Sequence, residues 1–230
     1  VRTDPGEAAL LHCAPPAEPR ALWPGGTHGL DEAVDERVNV VLCWHLHQPQ
    51  YRDPLTGQFE RPWSYLHGMR DCIDLAVHLE TVPEACAVVN FSPVLLDQLD
   101  DYCTGLAAHF RSGAPIPDRV LALLGPDGPG EDRQHWPMLA RACLRAGQDT
   151  QVSRFPAYRA LAERMAPMLR DGTVAGAEPS QLTDLAVWYH LAWLGETVRR
   201  GDPRVRPLLR RAGDFSVADR LQLLECIADV

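Results

Sequence analysis

The chain has 230 residues and a formal net charge of −9, and all of its 22 basic residues are arginines. This acidity argues against a nucleic-acid partner, because phosphate backbones bind basic surfaces. No apolar run approaches the roughly 20 residues that cross a bilayer, so we expect no membrane partner. The seven cysteines are odd in number and form no Cys-x-x-Cys pair. This usage argues against a disulfide framework or a zinc finger and favours a reducing, cytoplasmic setting.

Residues 1–36 differ in composition from the rest of the chain. They are rich in Pro, Gly, Ala and acidic residues and show no steady hydrophobic period. Segments of this kind bury too little apolar surface to fold, so we predict a disordered extension. The domain itself is then expected over residues 37–230, and its oligomeric state is left open.

A mostly apolar, uncharged run at residues 38–44 predicts a buried strand that leads into two histidines. His45 and His47 are two residues apart, and extended backbone places side chains at this spacing on one face. Pro49 has no N–H for a sheet ladder, so the strand should end at or before it. Sites in α/β folds lie at the carboxyl ends of strands, which makes the two histidines candidate site residues.

The next elements complete a strand–helix–strand unit. After a loop at residues 48–62, apolar residues at helical spacing predict a helix from Ser64 to about residue 82. Residues 85–91 indicate a second buried strand, and Ser92 followed by Pro93 indicates the start of another helix. This order of elements predicts a βαβ unit with two parallel strands.

No convincing strand follows residue 112, and the remaining periodic segments predict helices. The last of them begins with an approximate capping box at Ser216 and Asp219. We therefore predict an α/β fold in which a first βαβ unit is followed by a mostly helical insertion. The predicted helices lie near residues 118–124, 133–146, 156–170, 181–200 and 216–229.

Three blocks of this sequence resemble glycoside hydrolase family 57. The first is Trp-His-Leu-His-Gln-Pro at residues 44–49, with its continuation to residue 57 and the nearby Arg61-Pro62-Trp63 and Leu66-His67. The second block spans residues 90–99 and the third spans residues 185–193. The resemblance implies an incomplete (β/α)7 barrel that acts on α-glucans, as α-amylases, 4-α-glucanotransferases, branching enzymes and amylopullulanases do.

The resemblance also implies a retaining mechanism with a Glu nucleophile and an Asp acid/base, and with no metal or other cofactor. Both carboxylates lie on later barrel strands in that family, so they are expected beyond Val230 and this chain is expected to hold no catalytic residue. The chain would then be the amino-terminal part of the catalytic barrel, inactive alone, with an α-glucan or oligosaccharide as its partner. The glucan, the linkage and the choice between hydrolysis and transfer stay open.

Four side chains are candidate substrate-binding residues. His45 and His47 can each donate and accept hydrogen bonds, which suits sugar hydroxyls. Tyr51 and Trp63, in and just after the loop that follows the strand, can stack on sugar rings. A structural role is the alternative for all four: histidines bonded to the backbone, and aromatic rings packed in the core.

Other polar residues near these positions have more structural interpretations. Asn90, at the end of the second strand, is expected to support the site. Asp53 precedes Pro54 in a predicted turn. Asp97, Asp100 and Asp101 are predicted to form a solvated helix face.

The pair of histidines also allows a different class of enzyme. A His-x-His at the end of a first barrel strand is typical of metal-dependent hydrolases of the amidohydrolase or polysaccharide deacetylase kind. Such a site needs further ligands from other elements, and His67, His78 and Asp97 lie on helical stretches without ligand spacing. We therefore expect the histidines to bind no metal. A third possibility is a chain that only binds glucan.

Overall fold

A computed structural model describes residues 40–230, so the predicted extension at residues 1–36 lies outside the described part. Within that part the chain is mixed α/β, with one two-stranded sheet and nine α-helices. None of these helices has the length and apolar character needed to cross a bilayer. The elements are β1 (Leu42–Leu46), α1 (Trp63–His67), α2 (Ile73–Glu80), β2 (Ala87–Phe91), α3 (Pro93–Ser112), α4 (Trp136–Cys143), α5 (Pro156–Arg170), α6 (Pro179–Trp193), α7 (Glu196–Gly201), α8 (Val205–Arg210) and α9 (Val217–Asp229).

The strands β1 and β2 are parallel neighbours, as the βαβ pattern predicts. Their register begins with Leu42 opposite Ala87. The first strand starts later than the predicted residue 38. It also ends later than the predicted residue 44, at Leu46, and therefore includes His45. It ends at Leu46, before Pro49, as the missing N–H of proline requires.

The prediction that both strands are buried is wrong. Val40 and Val41, just before β1, are each 76% exposed, and Val88 in β2 is 53% exposed. A parallel strand becomes buried only when helices cover both faces of the sheet and other strands pair with its edges. Among the described residues the sheet has two strands, so each strand has an unpaired edge and much of its apolar surface stays exposed.

The predicted helix between the strands forms as α1 and α2, joined by a π-helical turn at Gly68–Cys72. Leu66 and Met69 lie on its inner face and are buried in the core. A Cβ atom at Gly68 would lie 2.9 Å from Cδ2 of Leu99. Glycine at this position therefore lets the helical segment approach α3 closely.

Helix α6 forms the centre of the core. Nearly all of its side chains from Leu182 to Trp193 are buried, on every side of the helix. A helix that is apolar all round must be surrounded by other elements. Helices α4 and α5 both pack against it, and they contribute the fully buried side chains of Trp136 and Tyr158.

The predicted helix at residues 181–200 is divided in two. Helix α6 ends at Trp193, and α7 begins three residues later, at Glu196. The N–H of Gly195 donates to the carbonyl of Met69 at 3.1 Å. The carboxylate of Asp74 accepts the N–H of Glu196 at 2.8 Å. These hydrogen bonds from distant helices give α7 a start of its own, which local periodicity does not reveal.

The other helix predictions differ from the structure mainly at their ends. Helix α3 begins at Pro93, α5 spans the predicted range, and the Ser216 and Asp219 capping box forms at the start of α9. The segment 118–124 forms only a 3-10 turn at Leu121–Leu124. The segment 133–146 forms α4, preceded by a 3-10 turn at Arg133–His135.

Candidate functional site

The two histidines share one face at the carboxyl end of β1, as their spacing predicts. Their rings are nearly parallel, with centroids 5.9 Å apart and an interplanar angle of 8°. His45 pairs in register with Asn90 of β2, and its Nδ1 lies 2.7 Å from the Asn90 Oδ1. Because an amide oxygen only accepts, Nδ1 donates this bond and Nε2 is left for a second partner. Both histidines are exposed.

The loop after β1 is held by α3. The side-chain amide of Gln98 donates to the carbonyl of Pro49 at 3.0 Å and accepts the N–H of Tyr51 at 2.9 Å. Arg52 forms ion pairs with both Asp97 and Asp101. Asp97 and Asp101 remain 63% and 42% exposed, so the predicted solvated face is present, and it also anchors the loop. The loop is thus fixed beside the histidines by the helix that follows β2.

The turn predicted at Asp53 forms. Its carboxylate accepts the N–H of Leu55 at 2.7 Å, and its backbone N–H donates to the carbonyl of Gln58 at 2.9 Å. Gly57 has a φ of 70°, which the turn requires and which glycine adopts without strain. Asp53 therefore stabilises the turn, as its position before Pro54 indicates.

Tyr51 and Trp63 are both half-buried and pack against the core. The Tyr51 hydroxyl donates to the Gln48 side chain at 2.9 Å, and burial raises the pKa of Tyr51. Trp63 lies edge-on to Trp193, with ring centroids 5.6 Å apart. Each aromatic residue thus has a structural contact, and whether either also stacks on sugar stays a prediction.

A cluster of aromatic and charged groups surrounds Trp193. His67 lies edge-on to it at 5.5 Å between centroids, and the Arg70 guanidinium lies over its ring at 5.3 Å. His67 also pairs with Asp71, one turn further along the helix. The cluster joins the residue 61–67 segment to the end of α6.

A buried polar network lies beneath this cluster. The Tyr65 hydroxyl donates to Nε2 of His190 at 2.9 Å, while Nδ1 of His190 donates to the carbonyl of Ala186 at 2.7 Å. The ring of Tyr65 contacts that of Tyr102, whose hydroxyl donates to Asp118 at 3.2 Å. All four side chains with titratable groups are buried. The network links α1, α3, α6 and the loop before Leu121–Leu124.

Burial shifts the pKa values of the two ends of this network in opposite directions. Burial raises the pKa of Asp118 to about 6, although backbone N–H groups of Leu121 and Val120 hydrogen-bond to its carboxylate and oppose the shift. Burial lowers the pKa of His190 to about 4. Near neutral pH, His190 is therefore neutral, which agrees with Nε2 accepting from Tyr65.

A cavity of about 390 Å³ opens beside this network. Trp63 lines it, but His45 and His47 do not, so the histidines and Trp63 face different surroundings. Its walls come from the end of the loop after β1, the start of the 3-10 turn segment, α4 with the residues after it, and one residue of α6. The lining residues are Asp53, Thr56, Gln58, Phe59, Glu60, Arg61, Pro62, Trp63, Asp118, Arg119, Val120, Met138, Arg141, Ala142, Arg145 and Tyr189.

Sequence reasoning did not find Asp118, Tyr189 or His190 as site residues. Asp118 follows Pro117 in an irregular segment, where no period or motif marks a buried carboxylate. Tyr189 and His190 belong to the third block, but that block is typical of a wide apolar helix face. The only available signal is the presence of polar aromatic groups within this otherwise apolar helix.

The residues weighed as metal ligands are engaged elsewhere or isolated. Within residues 40–230, no three His, Cys, Asp or Glu side chains are grouped so that they could hold a metal ion. His67 pairs with Asp71, and Asp97 pairs with Arg52. That His45 and His47 bind no metal stays a prediction.

Comparison with known proteins assigns no family to this chain. No protein-family model matches it, and neither a curated protein nor a solved structure does. The function proposed next therefore rests on the sequence blocks and on the contacts among their residues.

Proposed function

We propose that this chain is the amino-terminal part of a retaining glycoside hydrolase or glucanotransferase that acts on α-glucans, of the family that its three blocks resemble. The observation that supports this most is that the blocks meet in space. They are widely separated in sequence, yet Trp63 of the first block lies edge-on to Trp193 of the third, with ring centroids 5.6 Å apart. Contact among the three blocks is what a shared site requires.

The contacts between the first and second blocks lie at the sheet and its loop. His45 bonds to Asn90, and Gln98 bonds to both Pro49 and Tyr51. These bonds hold the histidine ring and the following loop in one orientation. Such support is what a substrate-positioning histidine needs, because a binding group must be held rigidly to be effective.

The third block contacts the first through aromatic groups. Trp63 and His67 both lie edge-on to Trp193. All three blocks are thus joined through short-range contacts, although helices α4 and α5 intervene in the chain. This arrangement supports a single assembly of the three blocks.

The exposed strands also support an incomplete barrel. The apolar side chains of Leu42, Val88 and Phe91 are exposed on a sheet that parallel architectures normally cover on both faces. Further strands and helices of a barrel would pair with the free edges and cover these side chains. The proposal thus explains why strands with a buried-strand sequence lie exposed in residues 40–230.

In this proposal His45 and His47 bind sugar hydroxyls next to the scissile bond. Asn90 holds His45 so that its Nε2 is available to a hydroxyl, and the parallel ring of His47 presents a second group nearby. The catalytic Glu and Asp lie on later strands, which would flank the same end of the sheet. Hydrolysis or transfer then depends on groups outside this chain.

Titration of the chain with maltoheptaose tests the proposal. We expect weak binding, which calorimetry or NMR shifts of the histidine side chains would measure. The variant His47→Ala should weaken this binding about tenfold. The matched control is His78→Ala, which changes an exposed histidine on α2 and should leave binding unchanged. A β-linked oligosaccharide of the same length should not bind. Equal binding by the His47 and His78 variants would contradict the proposal.

A further inference from the structure

The cavity beside the buried network is lined by several positively charged side chains. Four of its lining residues are arginines, in a chain whose net charge is −9. Arg141 lies in α4 and Arg145 follows one helical turn later, so both lie on the same side. Arg61 comes from the loop before α1, and Arg119 comes from the segment before Leu121–Leu124. Three separate elements therefore bring guanidinium groups to one cavity.

None of these four arginines forms an ion pair with a carboxylate that the structure describes. Arg119 donates to the amide oxygen of Gln58 at 3.2 Å. Eight of the other fifteen described arginines form ion pairs, and Glu196 alone binds three of them. With no described carboxylate bound, the four guanidinium groups are available to an anion from outside.

The acidic groups at the cavity do not cancel this charge. The carboxylate of Asp53 is used in its own turn, and Asp118 is buried behind the Tyr102 hydroxyl. Glu60 is the third acidic lining residue, and it is exposed. Four guanidinium groups thus exceed the carboxylates around the cavity, and the site favours a ligand with negative charge.

The remaining walls are aromatic. Trp63 and Phe59 both line the cavity, and apolar rings of this kind pack against the flat faces of sugars. The volume lies within the range of about 300–1,000 Å³ that is typical of small-molecule sites. The cavity thus combines an aromatic wall with a group of arginines that form no ion pair with a described carboxylate.

We propose that this cavity binds a phosphorylated sugar, with the phosphate held by Arg61, Arg141 and Arg145 and the sugar ring packed near Trp63. Planar guanidinium groups bind phosphate oxygens in pairs, and a phosphate dianion can engage more than one of them. A neutral glucan has no anionic group to pair with these arginines. The inference does not depend on the function proposed for His45 and His47, because neither residue lines this cavity.

Calorimetric titration with glucose 6-phosphate tests the proposal, with glucose and inorganic phosphate as separate arms. We expect the phosphorylated sugar to bind at least about tenfold more tightly than either component alone. The double variant Arg141→Gln with Arg145→Gln should weaken this binding by about tenfold or more. The matched control, Arg170→Gln with Arg210→Gln, removes the same charge from exposed positions away from the cavity and should leave binding unchanged.

Three outcomes would overturn the proposal. They are no binding of glucose 6-phosphate by the unaltered chain, equal loss in both double variants, and equal affinity for inorganic phosphate and the phosphorylated sugar. The last outcome would indicate a plain anion site. Tighter binding of citrate than of the phosphorylated sugar would likewise contradict the proposal, because the ligand would then be a carboxylate.

Discussion

Asp118 and His190 are buried titratable residues that act on stability in opposite directions. The pKa of Asp118 rises from 3.8 to about 6, so over this range the folded state holds a proton that the unfolded state has lost. Its contribution to stability therefore falls as pH rises towards 6. The pKa of His190 falls from 6.5 to about 4, so its contribution falls as pH drops below 6.5. Within this window the two effects largely offset each other.

The variant Asp118→Asn should make visible the pH dependence of stability that His190 contributes. The amide keeps an acceptor for the N–H groups of Val120 and Leu121 and can donate to the Tyr102 hydroxyl. Relative to the unaltered chain, its free energy of unfolding should rise by about 2 kcal/mol between pH 4.5 and pH 7. Urea unfolding at the two pH values measures the difference. A difference that does not change with pH would show that Asp118 titrates at its ordinary pKa.

The reciprocal variant is His190→Gln, whose amide oxygen can still accept from the Tyr65 hydroxyl. The variant lacks the imidazole that destabilises the folded chain at low pH. Its free energy of unfolding, relative to that of the unaltered chain, should therefore fall by about 2 kcal/mol between pH 4.5 and pH 7. The two variants must therefore show opposite trends in the same urea experiments. Trends of the same sign would refute the assignment of shifts to these two residues.

At the scale of the elements, the junction between α6 and α7 depends on one carboxylate. Asp74, on α2, accepts the backbone N–H groups of Glu196 and Thr197, at 2.8 and 3.1 Å. It thereby satisfies the first turn of a helix that is distant in sequence. A Cβ atom at Gly195 would lie 2.8 Å from this carboxylate, so glycine makes the close approach possible.

Replacing Asp74 by Ala should lower the free energy of unfolding by about 1–2 kcal/mol, as the loss of a helix cap does. Asp100→Ala is the matched control, because Asp100 lies exposed on α3 and forms no ion pair with a described residue. Thermal or urea unfolding compares the two variants. Equal stability of both would mean that the Asp74 hydrogen bonds contribute nothing net.

At the scale of the whole molecule, the proposed function predicts that this chain alone does not hydrolyse glycosidic bonds. A retaining glycosidase needs two carboxyl groups about 5–5.5 Å apart on rigid elements that flank the bond. At the carboxyl ends of β1 and β2 stand His47 and Ser92, and neither carries a carboxylate. Asp53, the first acid after β1, is used in its own turn, and Asp97, the first acid after β2, is bound to Arg52.

Purified chain should therefore release no reducing ends from soluble starch or maltooligosaccharides. A longer chain that continues through the rest of a barrel should do so in the same assay. Turnover by the short chain at a rate close to that of the long one would defeat the prediction. The catalytic carboxylates would then have to be sought among acids to which the structure gives structural contacts.

The sequence by itself determined the features that depend on neighbouring residues. Alternation placed His45 and His47 on one face, Ser92 and Pro93 marked the start of α3, and the capping box at Ser216 marked the start of α9. The parallel pairing of β1 with β2 also followed, because a strand, a helix and a strand have few ways to connect. These signals act over a few residues or through simple chain geometry.

Only the tertiary structure decided which groups are buried, paired or left without partners. The strands have the apolar sequence of a buried sheet, yet they are exposed because burial depends on covering elements that the described residues do not supply. Asp97 resembles any solvated acid until Arg52, from a loop after another strand, reaches it. The arginine cavity and the shifted pKa of Asp118 arise where segments distant in sequence converge, and no local pattern encodes such a meeting.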